Sequence, residues 1–558
     1  EYHQFPKPGK LAIAATKPMA NQHDLALAYS PGVAAPCEEI VKDPAAAFNY
    51  TSRGNLVGVI SNGTAVLGLG DIGALASKPV MEGKAVLFKK FAGVDVFDIE
   101  INEKDPQKLV EVIAALEPTF GAINLEDIKA PDCFYVEREL RKRLNIPVFH
   151  DDQHGTAITV AAAMVNALTV AGKKIEEVKL VASGAGAAAL ACLNLLLVLG
   201  LKRENVFVTD LAGVVYEGRA ELMDEDKALF AQKTELRTLA QVIEGADVFL
   251  GLSAGNVLKK EMVATMAAKP IIFALANPTP EILPEDVKAV RSDAIIATGR
   301  TDYPNQVNNV LCFPYIFRGA LDCGATTITK EMEVAAVHAI ADLAKAEQSE
   351  EVAAAYIGHT LSFGPEYLIP KPFDPRLMLI VAPAVAQAAA ECGVAQRPIA
   401  DMAAYREQLK TFVYASGTMM KPIVMAAKKA TKKRVAFAEG EEERVLRAAQ
   451  VVIDERIARP TLIGRPSVIA KRIEKFGLRL QEGRDYDVVN VEHDARYHDF
   501  WQTYHQMTER KGMTAPMAKI EMRRRLTLIG SMLLHKGEVD GLITGTWGQT
   551  AHHLQYLD

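Results

Sequence analysis

The stretch EVKLVASGAGAAALACLNLLLVLG, residues 177–200, decides the fold. Its first part is an apolar run of strand length, SGAG is a glycine turn, and the remainder is an apolar run of helical length. Gly184, Gly186 and Ala189 follow the G-x-G-x-x-A pattern. Small residues there allow the tight turn, the close approach of a pyrophosphate and close packing of the helix on the strand. The helix N-terminus adds unsatisfied N–H groups and a favourable dipole for a diphosphate. The next strand, NVFVTD at 205–210, ends in Asp210, placed where an acid can hold the ribose hydroxyls of a bound adenosine. A purely structural alanine turn is the alternative. Leu211 and Ala212 offer no cation for a 2'-phosphate, so the local chemistry leans to NAD; Arg219, in the following loop, is a cation that could fold back to favour NADP.

Working outward, apolar strand-length runs recur at 247–252, 271–276 and 294–298 with helical stretches between them. That is the βαβ rhythm of a doubly wound parallel sheet. Upstream, LVGVI (56–60), VDVFDIEI (94–101), INLEDI (123–128) and the strand at 147–150 alternate with helical stretches. HGTAITVAAAMVNALTVAG reads as a long apolar helix closed by Gly172. Residues 330–415 read as mostly helical, broken by the loop LSFGPEYLIPKPFDPR, 361–376. After the basic segment KPIVMAAKKATKKR, 421–434, strand and helix patterns resume, so a further α/β unit is expected from about 430.

The 558 residues are 49% hydrophobic and 24% charged, which suits several packed domains and excludes a chain disordered by composition. Sixty-three basic residues against 69 acidic ones give a net charge of −6. A globally basic nucleic-acid binder is excluded on that balance. Six cysteines without a CxxC pair fit a reducing cytoplasm rather than a disulfide scaffold or a structural zinc site. The apolar run LACLNLLLVLG, 190–200, is too short to cross a bilayer, and no membrane segment or signal peptide is expected.

Two acidic pairs stand at the ends of apolar strands: Glu126-Asp127 in NLEDIKAP and Asp151-Asp152 in VFHDDQHGT. Adjacent carboxylates are costly to bury unless paired or metal-bound, and oxygen donors of this kind suit Mg²⁺ or Mn²⁺ rather than zinc. Capping and turn roles are the alternative, with Asp152 near a helix start. Lys84, in VMEGKAVLFKKF, is expected immediately before an apolar strand, where loss of solvent would lower its pKa toward that of a general base; a surface lysine is the alternative. Tyr29 lies in LALAYSPGVA, Asn277 in ALANPTPE and Asn309 in NQVNNV. The asparagines suit either substrate oxygens or Asx-turns.

These segments, in order over much of the chain, resemble the malic enzyme family. The carriers are LALAYSPGVA, SNGTAVLGLGDIGALASKPVMEGKAVLFKKFAG, LEDIKAP, VFHDDQHGTA, VASGAGAAA, ALANPTPE and PNQVNNVLCFP. AFAEGEEERVLRAA and TLIGRPSVI resemble the opening of a phosphate acetyltransferase domain, a pairing similar to the bacterial hybrid malic enzymes. The resemblance implies an α/β chain in three parts. They are a malic enzyme N-terminal domain (1–153), a Rossmann-like NAD(P)-binding domain (154–420), and a partial phosphate acetyltransferase-like regulatory domain (421–558) unable to transfer acetyl groups.

It further implies oxidative decarboxylation of (S)-malate to pyruvate and CO₂ with NADP as the cofactor, NAD being the alternative, and Mg²⁺ or Mn²⁺. By family correspondence Glu126, Asp127 and Asp152 are the metal ligands and Lys84 the base. Tyr29 is the acid that protonates enolpyruvate, and Asp151 supports Lys84. Asn277 and Asn309 touch malate or the nicotinamide. Acetyl-CoA is the expected effector, acting through the C-terminal part of a homo-oligomer with a dimeric core and a hexameric whole. SNGTAVLGLGD lacks the arginine that larger family members place before LGLGD. Substrate grip is therefore expected from Asn277, Asn309 and backbone N–H groups of the Gly63 turn. A non-decarboxylating 2-hydroxyacid dehydrogenase would not need the carboxylate cluster, and a nucleotide-sensing scaffold would not need Lys84.

Overall fold

The computed structural model describes residues 2–5, 7–66, 68–346, 362–413, 423 and 426–557. They fall into two compact units, one running to residue 413 and the other covering the C-terminal part. The boundary expected at 420/421 lies outside the described residues.

The first unit opens with two short helices, α1 (Gln22–Ala28) and α2 (Ala34–Lys42), neither with a buried residue. Four parallel strands follow: β1 (Leu56–Ser61), β2 (Asp95–Glu100), β3 (Ala122–Leu125) and β4 (Val148–His150), in the order β2-β1-β3-β4. Between β1 and β2 runs α3, Ala74–Ala92. This corrects the strand expected after Lys84. The buried positions Ala74, Ser77, Met81, Lys84, Ala85, Phe88 and Ala92 recur every three or four residues, the signature of one helical face. A short apolar run such as AVLF is compatible with a buried strand or a buried helix, and the 19-residue length settles it. The charged helix α4 (Asp132–Arg143) leads into β4.

Past β4, a π-helical turn, Asp151–Gly155, continues into α5, Thr156–Ala171, which Gly172 closes at φ +71°. Single π turns inserted at a helix end are frequent at functional sites. Asp151–Ala171 is long and apolar enough to cross a membrane, yet it is largely buried inside the protein. Its Asn166 donates to the carbonyls of Ala341 and Leu368, at 2.8 Å each.

The second sheet is formed by β5 (Leu180–Ser183), β6 (Val206–Asp210), β7 (Gly213–Val214), β8 (Val248–Gly251), β9 (Ile271–Ala274) and β10 (Ile295–Thr298). Its order is β10-β9-β8-β5-β6-β7, parallel except for β7. Helix α6 (Ala187–Val198) follows β5 as the glycine turn requires. The strand order reverses around β5, the topological switch point where doubly wound sheets take their ligands. Helices α7 (Phe313–Cys323), α8 (Lys330–Lys345), α9 (Arg376–Glu391) and α10 (Met402–Val413) follow in the same unit. One apolar core joins the two sheets: Val57, Phe88 and Phe149 share it with Ile158, Leu193 and Phe317.

The second unit is a smaller α/β module, as expected from about residue 430. Its parallel strands β11 (Lys433–Phe437), β12 (Ala458–Gly464), β13 (Asp487–Asn490) and β14 (Gly541–Ile543) are ordered β13-β12-β11-β14. Apolar clusters around Leu446 and Leu462, and around Phe500 and Met522, supply its core.

Candidate active site

The acidic pairs come together because β3 and β4 are parallel neighbours, with Leu125 opposite His150, so the residues just past their ends meet. One carboxylate oxygen each from Glu126, Asp127 and Asp152 lies within 4.8 Å of the others. Asp127 takes a left-handed backbone, φ +54°, which few non-glycine residues adopt and which clusters at functional sites. Its N–H donates to Asp152 Oδ2 at 2.8 Å. Burial pushes the pKa of all three carboxyls up, and their neighbours' negative charge pushes further, while Lys84 pulls Glu126 and Asp152 partly back. Asp127 Oδ2 is buried without a hydrogen-bond partner. Repelling oxygen donors, buried at Glu126 and Asp127 and half-buried at Asp152, with an orphaned lone pair are the donor set of a hard divalent cation.

Lys84 enters from α3. Its Nζ lies 2.5 Å from Asp151 Oδ2 and 2.8 Å from Glu126 Oε1, and it sits over the Phe313 ring. Burial pulls its pKa down, as expected, but Asp151, Glu126 and Asp152 together outweigh that and hold it above the ordinary lysine value. The expected lowered pKa is therefore corrected for the cluster as it stands. Asp151 is fully buried, and Asn309 Nδ2 donates to the same Oδ2 at 2.5 Å. Gly155 is required beneath it, since a Cβ there would lie 1.8 Å from Asp151 Oδ1.

Asn124 joins the site without a motif of its own. It lies two residues before Glu126 on the same face of β3 and donates from Nδ2 to Glu126 Oε2 at 2.8 Å. That period-two spacing was the available signal. On the far side of the π turn, His154 Nε2 lies 2.8 Å from Glu137 Oε1, and its Nδ1 is 3.1 Å from Glu333 Oε1. Burial alone would pull His154 down, but Glu137 and Glu333 outweigh it and hold the imidazole at about 9. His150, buried, is pulled down to about 4.

Not every expected residue joins the cluster. Tyr29 is 70% exposed and makes no hydrogen bond to any of its members. Asn277 lines a neighbouring cleft of about 720 Å³ with Gly68, Leu69, Arg300 and Asn308. Within the Gly63 turn, the Gly63 N–H donates to Ser61 Oγ at 3.0 Å.

At the dinucleotide turn, Gly184 adopts φ +108°, where a Cβ would lie 2.4 Å from the Leu252 carbonyl oxygen. Gly186 caps α6 and Ala189 is buried in its first turn, as the pattern requires. Asp210 is already engaged within the chain: Oδ2 accepts from Arg219 and, at 3.0 Å, from Lys227, and Oδ1 accepts the Ala212 N–H. Arg219 folds onto Asp210, with Nε donating to the Glu221 carbonyl and Nη1 to those of Gly213 and Val214. Lys227 is an additional cation that the sequence pattern did not reveal.

Three family models match: Malic enzyme, N-terminal domain, over residues 8–141; Malic enzyme, NAD binding domain, over 153–356; and Phosphate acetyl/butaryl transferase over 418–557. An NAD-dependent malic enzyme of Rhizobium meliloti is 62% identical over 554 residues, 99% of this chain and 72% of the relative. An NADP-dependent malic enzyme of Escherichia coli is 61% identical over 558 residues, 100% of this chain and 73% of the relative. The crystal structure of malic enzyme from Pyrococcus horikoshii, 42% identical, superposes with a TM-score of 0.68, covering 75% of this chain and 95% of that one.

Proposed function

Because this chain belongs to the malic enzyme family, with NAD(P)-dependent oxidative decarboxylation of malate as its activity, we propose a finer division of labour among its residues. The observation that carries it is the buried contact of Lys84 with Asp151 beside three converging carboxylates. Glu126, Asp127 and Asp152 would hold Mg²⁺ or Mn²⁺. The bound ion would supply Lewis acidity toward malate and offset the carboxylate charge around Lys84. With that charge offset, burial governs Lys84 and favours its neutral form, the one that takes the C2 hydroxyl proton. Asp151 positions Lys84, and Asn309 fixes Asp151. NADP⁺ would accept the hydride from C2. The C3–C4 bond of the resulting 2-oxo acid then breaks, C4 leaves as CO₂, and Tyr29 protonates C3 of the enolpyruvate left behind. Asn277, on the cleft lip, meets malate or the nicotinamide.

The preference for NADP rests on charge. Asp210 would repel a 2'-phosphate, but Arg219 and Lys227 together more than balance it. The chain divides at 1–153, 154–420 and 421–558, with the first two parts sharing one core and the third a regulatory module that responds to acetyl-CoA. The core is a dimer and the whole a hexamer. Six free cysteines support a cytoplasmic setting. The test is malate-dependent reduction of NADP⁺ and NAD⁺ on one preparation, with pyruvate and CO₂ quantified. Indifference to EDTA or a product other than pyruvate would overturn the reading, and a tenfold kcat/KM preference for NAD⁺ would overturn the cofactor assignment. Acetyl-CoA should inhibit the whole chain and not a chain ending at residue 413.

A further inference from the structure

Glu281, in the loop that leaves β9, is 0% exposed. Its Oε1 accepts the Ser253 N–H at 2.8 Å and the Ser253 hydroxyl at 3.3 Å, and its Oε2 accepts the Ala276 N–H at 3.0 Å. Both oxygens act as acceptors, the pattern of an ionised carboxylate. Burial pushes its pKa up, and the Ser253 and Ala276 N–H groups hold it back. Among the described residues, no basic side chain pairs with it, so N–H and O–H dipoles alone stabilise its charge. Buried charges are ordinarily paired with a counter-charge.

The carboxylate lies against the ends of parallel strands. Ser253 follows β8 and Ala276 follows β9, while the Ser253 hydroxyl lies 2.9 Å from that of Ser183, the last residue of β5. Gly251, which ends β8, is pressed against the side chain: a Cβ there would lie 2.4 Å from Glu281 Cδ. In a doubly wound sheet a dinucleotide straddles the crevice at these ends, with its pyrophosphate on the glycine turn after β5. Its adenosine half lies towards β6, which Asp210 ends, so its nicotinamide half falls on the other side, over β8 and β9. Asn277, next to Ala276, lines the cleft there.

Oxidised nicotinamide carries a positive charge on its ring, and the added hydride removes it. A fixed negative charge in a water-poor site attracts the first form and not the second. Asp210, at the adenosine end, is balanced by Arg219 and Lys227 and draws no such distinction. Glu281 has no such counter-charge.

We propose that Glu281 sets the redox preference of the dinucleotide site, its buried charge favouring the oxidised nicotinamide over the reduced one. The oxidised cofactor is thereby held and the reduced product released. Glu281 acts by its charge and by tying Ser253 to Ala276, without contact with malate. This rests on the reading of the chain as an NAD(P)-dependent enzyme with Asn277 beside the nicotinamide.

The test measures dissociation constants for NADP⁺ with NADPH, and NAD⁺ with NADH, by calorimetry without malate. Glu281→Gln keeps the shape and removes the charge, so affinity for the oxidised form should fall about tenfold relative to the reduced form. Glu281→Asp keeps the charge and shifts it, so both affinities should fall while their ratio moves much less. Equal weakening of both forms in Glu281→Gln would overturn the proposal and leave Glu281 as a tie between loops. The wild-type protein provides a measurement that no folding defect can obscure. It should bind the oxidised form at least as tightly as the reduced one, and a preference of about tenfold for the reduced form would overturn the proposal. Failure of the wild-type protein to bind either dinucleotide would instead overturn the cofactor reading.

Discussion

Lys84 Nζ and Asp151 Oδ2 are held 2.5 Å apart across 67 residues of sequence. Asn309, from the second sheet's side of the molecule, donates to that same oxygen. One buried carboxylate oxygen therefore ties the lysine of α3 to a loop of the dinucleotide-binding region. Lys84→Ala is expected to lower malate turnover by at least 10²-fold, the low end of general-base contributions, while dinucleotide binding persists. Single-turnover kinetics with a parallel fluorescence titration would check both halves, and near-wild-type turnover would remove Lys84 from the chemistry.

Gly155 makes that carboxylate position accessible. In Gly155→Ala the new Cβ would occupy the place of Asp151 Oδ1, so Asp151 must swing away. Turnover is expected to fall toward that of a Lys84 variant, with the fold and dinucleotide affinity retained. Unimpaired turnover in a folded Gly155→Ala protein would mean that Asp151 does not hold Lys84 during the reaction.

Glu126→Gln removes one of three converging charges while keeping an oxygen that can accept from Asn124. Mn²⁺ affinity, read by electron paramagnetic resonance without substrate, should fall by well over tenfold. Asn124→Ala leaves the charge and loosens its orientation, so a smaller loss is expected. Equal losses in the two variants would contradict this ordering.

Lys227→Ala leaves Asp210 balanced by Arg219 alone. The expected result is a fall of about tenfold or more in kcat/KM for NADP⁺, roughly 1.4 kcal/mol, with a smaller change for NAD⁺. Equal effects on both cofactors would assign Lys227 a structural role only.

The buried pair of His154 and Glu137 makes stability depend on pH from both sides. Burial alone would push Glu137 up, but His154 and Arg141 outweigh it and bring it to about 2. That lowered pKa contributes stability above the ordinary glutamate range, which is lost as pH falls through about 2. His154, raised to about 9, contributes stability fully present below about 6.5 and lost as pH rises through about 9. Glu137→Gln should therefore lower the melting temperature most near pH 6 and least above pH 9. An equal loss at both ends would show that His154 carries no charge in the fold.

How much of this was legible depends on the range of the interaction concerned. The glycine turn at 184–189, its strand and its helix follow from residues adjacent in sequence, because a tight turn and a helix N-terminus are local geometry. The acidic pairs were legible for a similar reason: each follows an apolar strand, and parallel strands bring their C-terminal ends to one edge. The sequence marks Lys84 but not its element, since a few buried apolar residues in a row do not separate strand from helix.

The sequence by itself determined the order of the α/β elements, the dinucleotide turn and the residue types of the acid cluster. Only the tertiary structure decided that Asp210 is already neutralised by Arg219 and Lys227, that Asn124 orients Glu126, and that Lys84 is held charged by its neighbours. It alone showed Tyr29 outside the cluster that the same chain builds. The physical reason is that backbone preferences act over a few residues. A side chain's charge state and partners are instead set by whatever packing brings within a few ångströms, from any distance along the chain.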